Sequence, residues 1–238
     1  MCARAMRPIR YVLLVLALVS ALVSPPAATA QPCAANVPHT QGQWSTRPYL
    51  MSINPISATL MHDGRVLIVA GSENDATNYT AGAFRNAVWD PTGSTQDAIE
   101  FFDVTYDVFC AGVATLGDGR PLAVGGTSDY SFTGESRASI FDPVTDGFVQ
   151  TKGMADGRWY ATATVLGDGR VMAFSGLRSN GSTNRSVEIF DPGSASTPWT
   201  SPSTAAPFTP PLFPRMFLLP NGRVFYTGQG SGSRTSNS

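Results

Sequence analysis

A short signature returns four times along the chain at nearly even spacing, and nothing else in the sequence restricts the fold so strongly. Asp63-Gly64-Arg65, Asp118-Gly119-Arg120, Asp168-Gly169-Arg170 and Asn221-Gly222-Arg223 lie 55, 50 and 53 residues apart. A fixed period of this size marks a repeat architecture. Each Asp-Gly or Asn-Gly pair joins two strand-like runs. These are Ser57 to Met61 and Val66 to Ala70 in the first unit, and Ala161 to Leu166 and Val171 to Ser175 in the third. Such pairs suit two-residue hairpin turns, in which both turn residues take positive φ. A second marker keeps the same phase. It is Trp89-Asp90-Pro91, Phe141-Asp142-Pro143 and Phe190-Asp191-Pro192, at spacings of 52 and 49, and each closes a third strand such as Val187 to Phe190.

A unit of about 50 residues with several strands and a glycine after the second is a propeller blade of kelch type. Gly125-Gly126 is the full diglycine of that repeat, and Gly71, Gly176 and Gly228 are reduced versions. An antiparallel sandwich is the competing fold, and two markers held in one phase argue against it. Gly and Pro total 41 of 238 residues, which fits a chain that turns often. No run of ten residues holds a helical period without Gly or Pro. The expected fold class is all-β: a kelch-type β-propeller, incomplete, with about three and a half blades. The fourth unit begins near Phe213, has its hairpin, and runs into a polar tail over 231–238. Propellers close with about 4–8 blades, so the chain is expected to be the N-terminal part of a longer protein. The first and fourth units are both expected to lack a neighbour, leaving the hairpin runs Phe217-Leu218-Leu219 and Val224-Phe225-Tyr226 on an open edge.

The remaining segments are assigned by composition. Arg4, Arg7 and Arg10 precede an apolar run from Tyr11 to Val23, then Pro25-Pro26, and Ala28-Thr29-Ala30 supplies a small-residue cleavage site. This is the pattern of a secretory signal peptide over 1–30. The 13-residue apolar run falls short of the ~20 needed to span a bilayer. The mature chain is expected to be secreted and extracellular, beginning at Gln31, with a tail over 31–43, a partial propeller over 44–230, and no membrane partner. The 16 basic and 17 acidic residues give a net charge of −1, which excludes the basic excess that nucleic-acid binding draws on. Of three cysteines, Cys2 leaves with the signal; Cys33 and Cys110 remain and do not make a disulfide scaffold.

Chemistry enters through one pair of positions. Cys110 stands eight residues before Asp118, and Tyr160 eight before Asp168. They hold equivalent places on consecutive blades, at the start of the hairpin's first strand. The innermost strands of a propeller surround its channel, so the two are expected to be neighbours at one mouth. The other units put Pro55 and Phe213 there. On residue type alone, Cys110 also reads as a buried small hydrophobe and Tyr160 as a packing residue.

Val108-Phe109-Cys110-Ala111-Gly112 and Gly157-Arg158-Trp159-Tyr160-Ala161-Thr162, in consecutive blades, resemble the copper radical oxidases, glyoxal-oxidase-like members more closely than galactose oxidase. The resemblance covers about Trp44 to Gly230. It implies a seven-bladed kelch propeller in which Cys110 is joined by a thioether to Tyr160, and in which Tyr160 ligates copper and holds the radical. It implies oxidation of a small aldehyde or primary alcohol, carbohydrate included, by dioxygen with release of hydrogen peroxide. A phenolate is a hard oxygen donor suited to Cu(II), and a sulfur substituent eases oxidation of the ring. The family also needs a second tyrosine and two histidines on copper. This chain has only His39, in the tail, and His62, at a hairpin tip away from Tyr160. The copper and its thioether cofactor are therefore expected in a full-length parent, with none in this chain alone. The place of the tryptophan that stacks on the modified tyrosine falls near Arg178, and Trp159 is expected on the opposite sheet face from Tyr160.

Other motifs carry less. Asn78-Tyr79-Thr80, Asn180-Gly181-Ser182 and Asn184-Arg185-Ser186 fit the N-glycosylation sequon. Asp63, Asp118, Asp168, Asp142 and Asp191 share the repeat phase, which reads as turns and strand ends. Three functions remain open: part of a copper radical oxidase, a non-catalytic kelch module that binds glycan or protein, and an inactive gene product.

Overall fold

The computed structural model describes Gly42, Trp44, residues 46–200, Ala206 and residues 208–228. The signal segment, His39, Cys33 and the polar tail lie outside these residues. The unit from Arg47 onward is built of three four-stranded antiparallel sheets and a two-stranded hairpin. The first sheet holds β1 (Ser57–Leu60), β2 (Val66–Gly71), β3 (Arg85–Trp89) and β4 (Ile99–Asp103). The second holds β5 (Gly112–Thr115), β6 (Pro121–Val124), β7 (Ala138–Asp142) and β8 (Gly147–Gln150). The third holds β9 (Thr162–Val165), β10 (Val171–Phe174), β11 (Val187–Phe190) and β12 (Trp199–Thr200), and the hairpin pairs β13 (Met216–Leu218) with β14 (Val224–Tyr226). In every sheet the strands lie in chain order. This is the blade arrangement, an incomplete propeller. One six-residue helix, α1 (Ala76–Ala81), is set into the β2–β3 loop and capped by Asp75.

Strand burial follows position in the blade. β2, β6 and β10 are buried nearly throughout, and read as unbroken apolar runs, VLIVAG, PLAV and VMAF. A strand covered on both faces has no polar face to alternate with. β1 alternates instead, because it lines one side of the stack. The first strands of successive sheets, β1, β5, β9 and β13, lie beside one another. Sheets one and two close over Leu67, Val69, Val88, Val108 and Phe141, and sheets two and three over Leu122, Val124, Met154, Val171 and Phe190. A fully buried side chain of this size contributes about 1.5–3 kcal/mol.

The four repeat signatures form one turn, and it is not the expected two-residue turn. Met61 N–H donates to Arg65 O at 2.8 Å and Gly64 N–H to Met61 O at 3.1 Å. The same pair of bonds recurs at Leu116, Leu166 and Leu219. Only the glycine takes positive φ, 88° at Gly64 and 85° at Gly119 and Gly169. The loop is thus three residues long, a type I turn closed by a left-handed glycine. The conserved phase of the aspartates and arginines has a local cause. Asp118 Oδ1 accepts from Arg120 N–H at 3.0 Å while Arg120 Nε donates to Asp118 Oδ2 at 2.8 Å, and Asp63–Arg65 and Asp168–Arg170 repeat this.

The two outer blades differ from expectation in one respect. Phe217 and Phe225 of the β13–β14 hairpin are 56% and 53% exposed. The outward face of the first sheet, Ile68, Ala70, Ala87 and Ile99, is covered by Tyr49, Met51 and Ile53. Trp89 Nε1 donates to Tyr49 Oη at 3.0 Å, which fixes that segment in place. A neighbouring blade is not needed there, because the residues before β1 supply the apolar cover.

Candidate functional site

The ends of β5, β9 and β13 opposite the Asp-Gly-Arg turns are built alike. Cys110, Tyr160 and Phe213 precede these strands, and all three are non-glycine residues in the left-handed region, at φ 61°, 63° and 45°. Such a conformation is costly for an L-residue and persists only where its surroundings hold it. Here the backbones hold one another. Tyr160 N–H donates to Cys110 O at 3.1 Å, and Phe213 N–H donates to Tyr160 O at 2.9 Å. The equivalent Pro55 stands outside this chain of bonds, since its ring fixes φ near −65°.

Two further devices fix the segments leading to this end. Gly125 and Gly126 take φ of 76° and 130°. A Cβ on Gly125 would lie 2.0 Å from Arg158 O, and one on Gly126 2.3 Å from Asp107 O. The diglycine that follows β6 therefore lets the approaches to Tyr160 and Cys110 pass close on either side. Arg158 is wholly buried and anchors the segment before Tyr160. It donates to Ser175 O at 2.9 Å, Ser186 O at 3.0 Å and Glu188 Oε1 at 2.9 Å, while Glu188 Oε2 accepts from Ala155 N–H at 2.7 Å. Burial pulls the Arg158 guanidinium below its ordinary range, against the attraction of Glu188. On the other blade, buried Asp107 accepts from Ser72 N–H at 2.8 Å and Phe109 N–H at 2.9 Å through Oδ1. Burial raises its carboxyl above the usual range, and its Oδ2 is buried without a partner. Arg158 sits inside a quoted motif, yet only its neighbours Trp159 and Tyr160 suggested chemistry. Asp107 carried the signal of a side chain two residues before the turn it caps.

Cys110 is 2% exposed and free, and Tyr160 is half-buried. Burial pushes the Cys110 thiol up to about 12, against a smaller opposing pull from the Tyr160 hydroxyl. Burial, and then the Cys110 thiol, raises the Tyr160 phenol above its ordinary value. Both side chains are neutral near pH 7, and the backbone bond at 3.1 Å sets the two residues side by side. The structure therefore brings together the two residues that the repeat phase paired.

Trp159 does not lie on the opposite face. Its ring centroid is 4.0 Å from that of Tyr160 at an interplanar angle of 55°, and Phe213 closes the other side at 4.6 Å. Strand alternation fails because Tyr160 is left-handed backbone ahead of β9, not part of the strand. Arg178 is paired with Asp156 at 3.3 Å, and the aromatic neighbours of Tyr160 are Trp159 and Phe213.

As a copper site these residues are insufficient. Among the described residues no group of three or more His, Cys, Asp or Glu comes together. His62 is exposed at the opposite strand ends, 3.4 Å from Gly119 O through Nδ1. One phenol with no imidazole beside it does not fit a copper ion. The glycosylation signals also divide: Asn184 is buried, donating to Gly157 O at 3.2 Å, whereas Asn180 is exposed. Among the described residues no helix is long and apolar enough to cross a membrane.

Known proteins resemble this chain over half to two thirds of its length. Galactose oxidase of Gibberella zeae is 29% identical over 163 residues, 67% of this chain and 22% of that protein. Aldehyde oxidase GLOX of Vitis pseudoreticulata is 33% identical over 128 residues, 50% of this chain and 23% of that protein. A fungal alcohol oxidase of the AA5 family, solved in complex with copper, superposes with a TM-score of 0.50 at 19% identity, covering 65% of this chain and 31% of that one. That likeness shows the fold. No family model matches the chain. The chain spans about a fifth of the length of the curated relatives it matches.

Proposed function

We propose that this chain, a relative of the copper radical oxidases, carries the Cys110–Tyr160 half of a secreted oxidase site and is inactive alone. The observation that supports this reading is the pairing itself. Two residues 50 positions apart are joined backbone to backbone at 3.1 Å, and each shifts the ionisation of the other. Thioether formation would break the Cys110 S–H bond and one ring C–H bond beside the Tyr160 hydroxyl, and would form one C–S bond. Two protons and two electrons leave, and dioxygen is the acceptor class. In such a site Tyr160 would be the oxygen ligand, and copper would supply one-electron redox chemistry. Of the two histidines in the sequence, His62 stands at the opposite strand ends from Tyr160. The substrate class carried over from the relatives is a small aldehyde or primary alcohol.

Peptide mapping tests the pair. Protein secreted by a host supplied with copper and dioxygen is expected to begin at or near Gln31. It should yield the Cys110 and Tyr160 peptides joined and two hydrogens lighter than their sum, with no such species in Cys110→Ser. Separate peptides in the parent protein would favour the non-catalytic module. That second reading draws support from the missing copper donors among the described residues. Residues 31–238 alone, given copper, should release no peroxide from glyoxal-type aldehydes or primary alcohols; turnover would overturn the half-site reading.

A further inference from the structure

From the Trp159 side of Tyr160 a continuous row of aromatic rings leads to partly exposed tyrosines. Trp159 lies against Tyr160 at 4.0 Å between centroids. Phe132 stacks on Trp159 at 4.9 Å with an interplanar angle of 23°. Tyr130 follows at 5.4 Å from Phe132, and Tyr79 at 5.7 Å from Tyr130. These residues come from α1, from the β6–β7 loop and from the segment before β9, so packing and not sequence proximity assembles the row. Phe132 is itself a non-glycine residue at φ 65°, a strained backbone that sets its ring onto Trp159.

We propose that Trp159, Phe132, Tyr130 and Tyr79 form an electron relay between Tyr160 and an outer-sphere one-electron acceptor at the protein surface. The inference rests on the reading of Tyr160 as a redox residue. In the step, Tyr160 loses one electron and its phenolic proton to become a neutral tyrosyl radical. The electron passes outward through Trp159 to the surface tyrosines, the acceptor is reduced by one electron, and the proton goes to solvent from the half-exposed phenol. Tyrosine and tryptophan rings are oxidisable and serve as stations; phenylalanine is not, and Phe132 fills the gap between stations.

The hydrogen bonds suit those roles. Trp159 Nε1 is buried with no partner, so its radical cation has no adjacent base to take the proton. An electron leaves and returns there without proton movement, which is the behaviour of a transit station. Tyr130 and Tyr79 each donate to a backbone carbonyl, Asn74 O and Ser128 O, both at 3.0 Å. Both hydrogen bonds are exposed, so solvent takes the phenolic proton when either ring is oxidised and returns it when the ring is reduced. Stability at Tyr160, beside Cys110, then drives the hole inward.

The test places an oxidant at one end and reads radicals at the other. A ruthenium polypyridyl photosensitiser is attached at Ser131→Cys in the full chain with Cys2 and Cys33 replaced by serine; buried Cys110 does not compete for the label. After flash-quench, electron paramagnetic resonance should find a tyrosyl radical that is absent in Tyr160→Phe. Trp159→Phe should lower its yield at least tenfold and leave the spin on Tyr130 or Tyr79. Global 5-fluorotryptophan, which raises the indole potential with little change of shape, should slow arrival at Tyr160 and guards against a Trp159→Phe chain that does not fold. The same complex at Gly167→Cys, at the opposite strand ends, should give little Tyr160 radical. An unchanged Tyr160 yield in Trp159→Phe, or no Tyr160 radical in the parent, overturns the relay. A joined peptide with no relay leaves the cofactor reading standing, and a relay without the joined peptide removes only the cofactor.

Discussion

The two ends of the inner strands follow opposite rules. At the turn end, one set of side chains is repeated: aspartate or asparagine, glycine and arginine in the same three-residue loop, four times. At the other end the backbone is repeated and the side chains are not. Cys110, Tyr160 and Phe213 share a left-handed conformation and a row of hydrogen bonds, yet differ in all their chemistry. At the turn end the side chain is part of the turn, so it alternates only between aspartate and asparagine. At the other end neighbouring blades hold the backbone, so the side chain is free to do something else.

Glycine substitutions separate the ends most sharply. Gly125→Ala puts a methyl 2.0 Å from Arg158 O and should abolish cooperative unfolding. Gly169→Ala meets nothing within 4 Å and should cost only the left-handed strain, about 1–2 kcal/mol, in chemical denaturation. If the two variants melt alike, the contrast between supported backbone and self-made turn is wrong.

Next in size is the buried anchor. Arg158→Met leaves Glu188 buried and uncompensated, which should cost about 3–5 kcal/mol in urea unfolding. Adding Glu188→Leu should restore much of this loss, because the charge that lacked a partner is removed. No recovery in the double variant would show that Arg158 acts through packing instead.

The exposed counterpart should be far weaker. Asp118→Ala removes a pair whose side chains are 48% and 42% exposed, and should cost about 0–1 kcal/mol, less in high salt. Acid titration gives the smallest and most selective contrast. The Asp118 carboxyl is held below its ordinary 3.8, so its contribution is present above that value and is lost as pH falls through the folded value. Asp107 runs the other way. Its folded value is raised, so the native state binds the proton more tightly, and stability falls as pH climbs from 3.8 through the folded value. Asp107→Asn should remove that fall, seen as a flatter stability profile on the acid side.

What could be read from the sequence follows the same division. The period fixed the blades, because each Asp-Gly-Arg makes its own turn from adjacent residues. It also paired Cys110 with Tyr160, because counting back from a turn is local arithmetic. Left-handed backbone at non-glycine residues could not be read, since the hydrogen bonds that hold Tyr160 come from Cys110 and Phe213 on other blades. That is also why Trp159 was expected on the wrong face. The cover that Tyr49, Met51 and Ile53 lay over the first sheet was hidden as well, because a short apolar segment before a repeat has no period to declare it. The type of turn was misjudged from Asp-Gly alone; the loop closes through backbone bonds with only the glycine at positive φ, which the dipeptide does not reveal.

Every strand in these sheets pairs with its neighbour in the chain. Loops that short close at little entropic cost, and contacts of low sequence separation form quickly. Each blade can therefore knit as soon as its own residues are free, in the order of synthesis. The Tyr160–Cys110 bond is different in kind. It spans 50 residues and cannot form until the third blade docks against the second. Cys110 must then wait, on a folded blade, for a partner still to be made. In an oxidising compartment that interval is when the thiol is open to stray pairing, and the speed of the third blade sets how long it lasts.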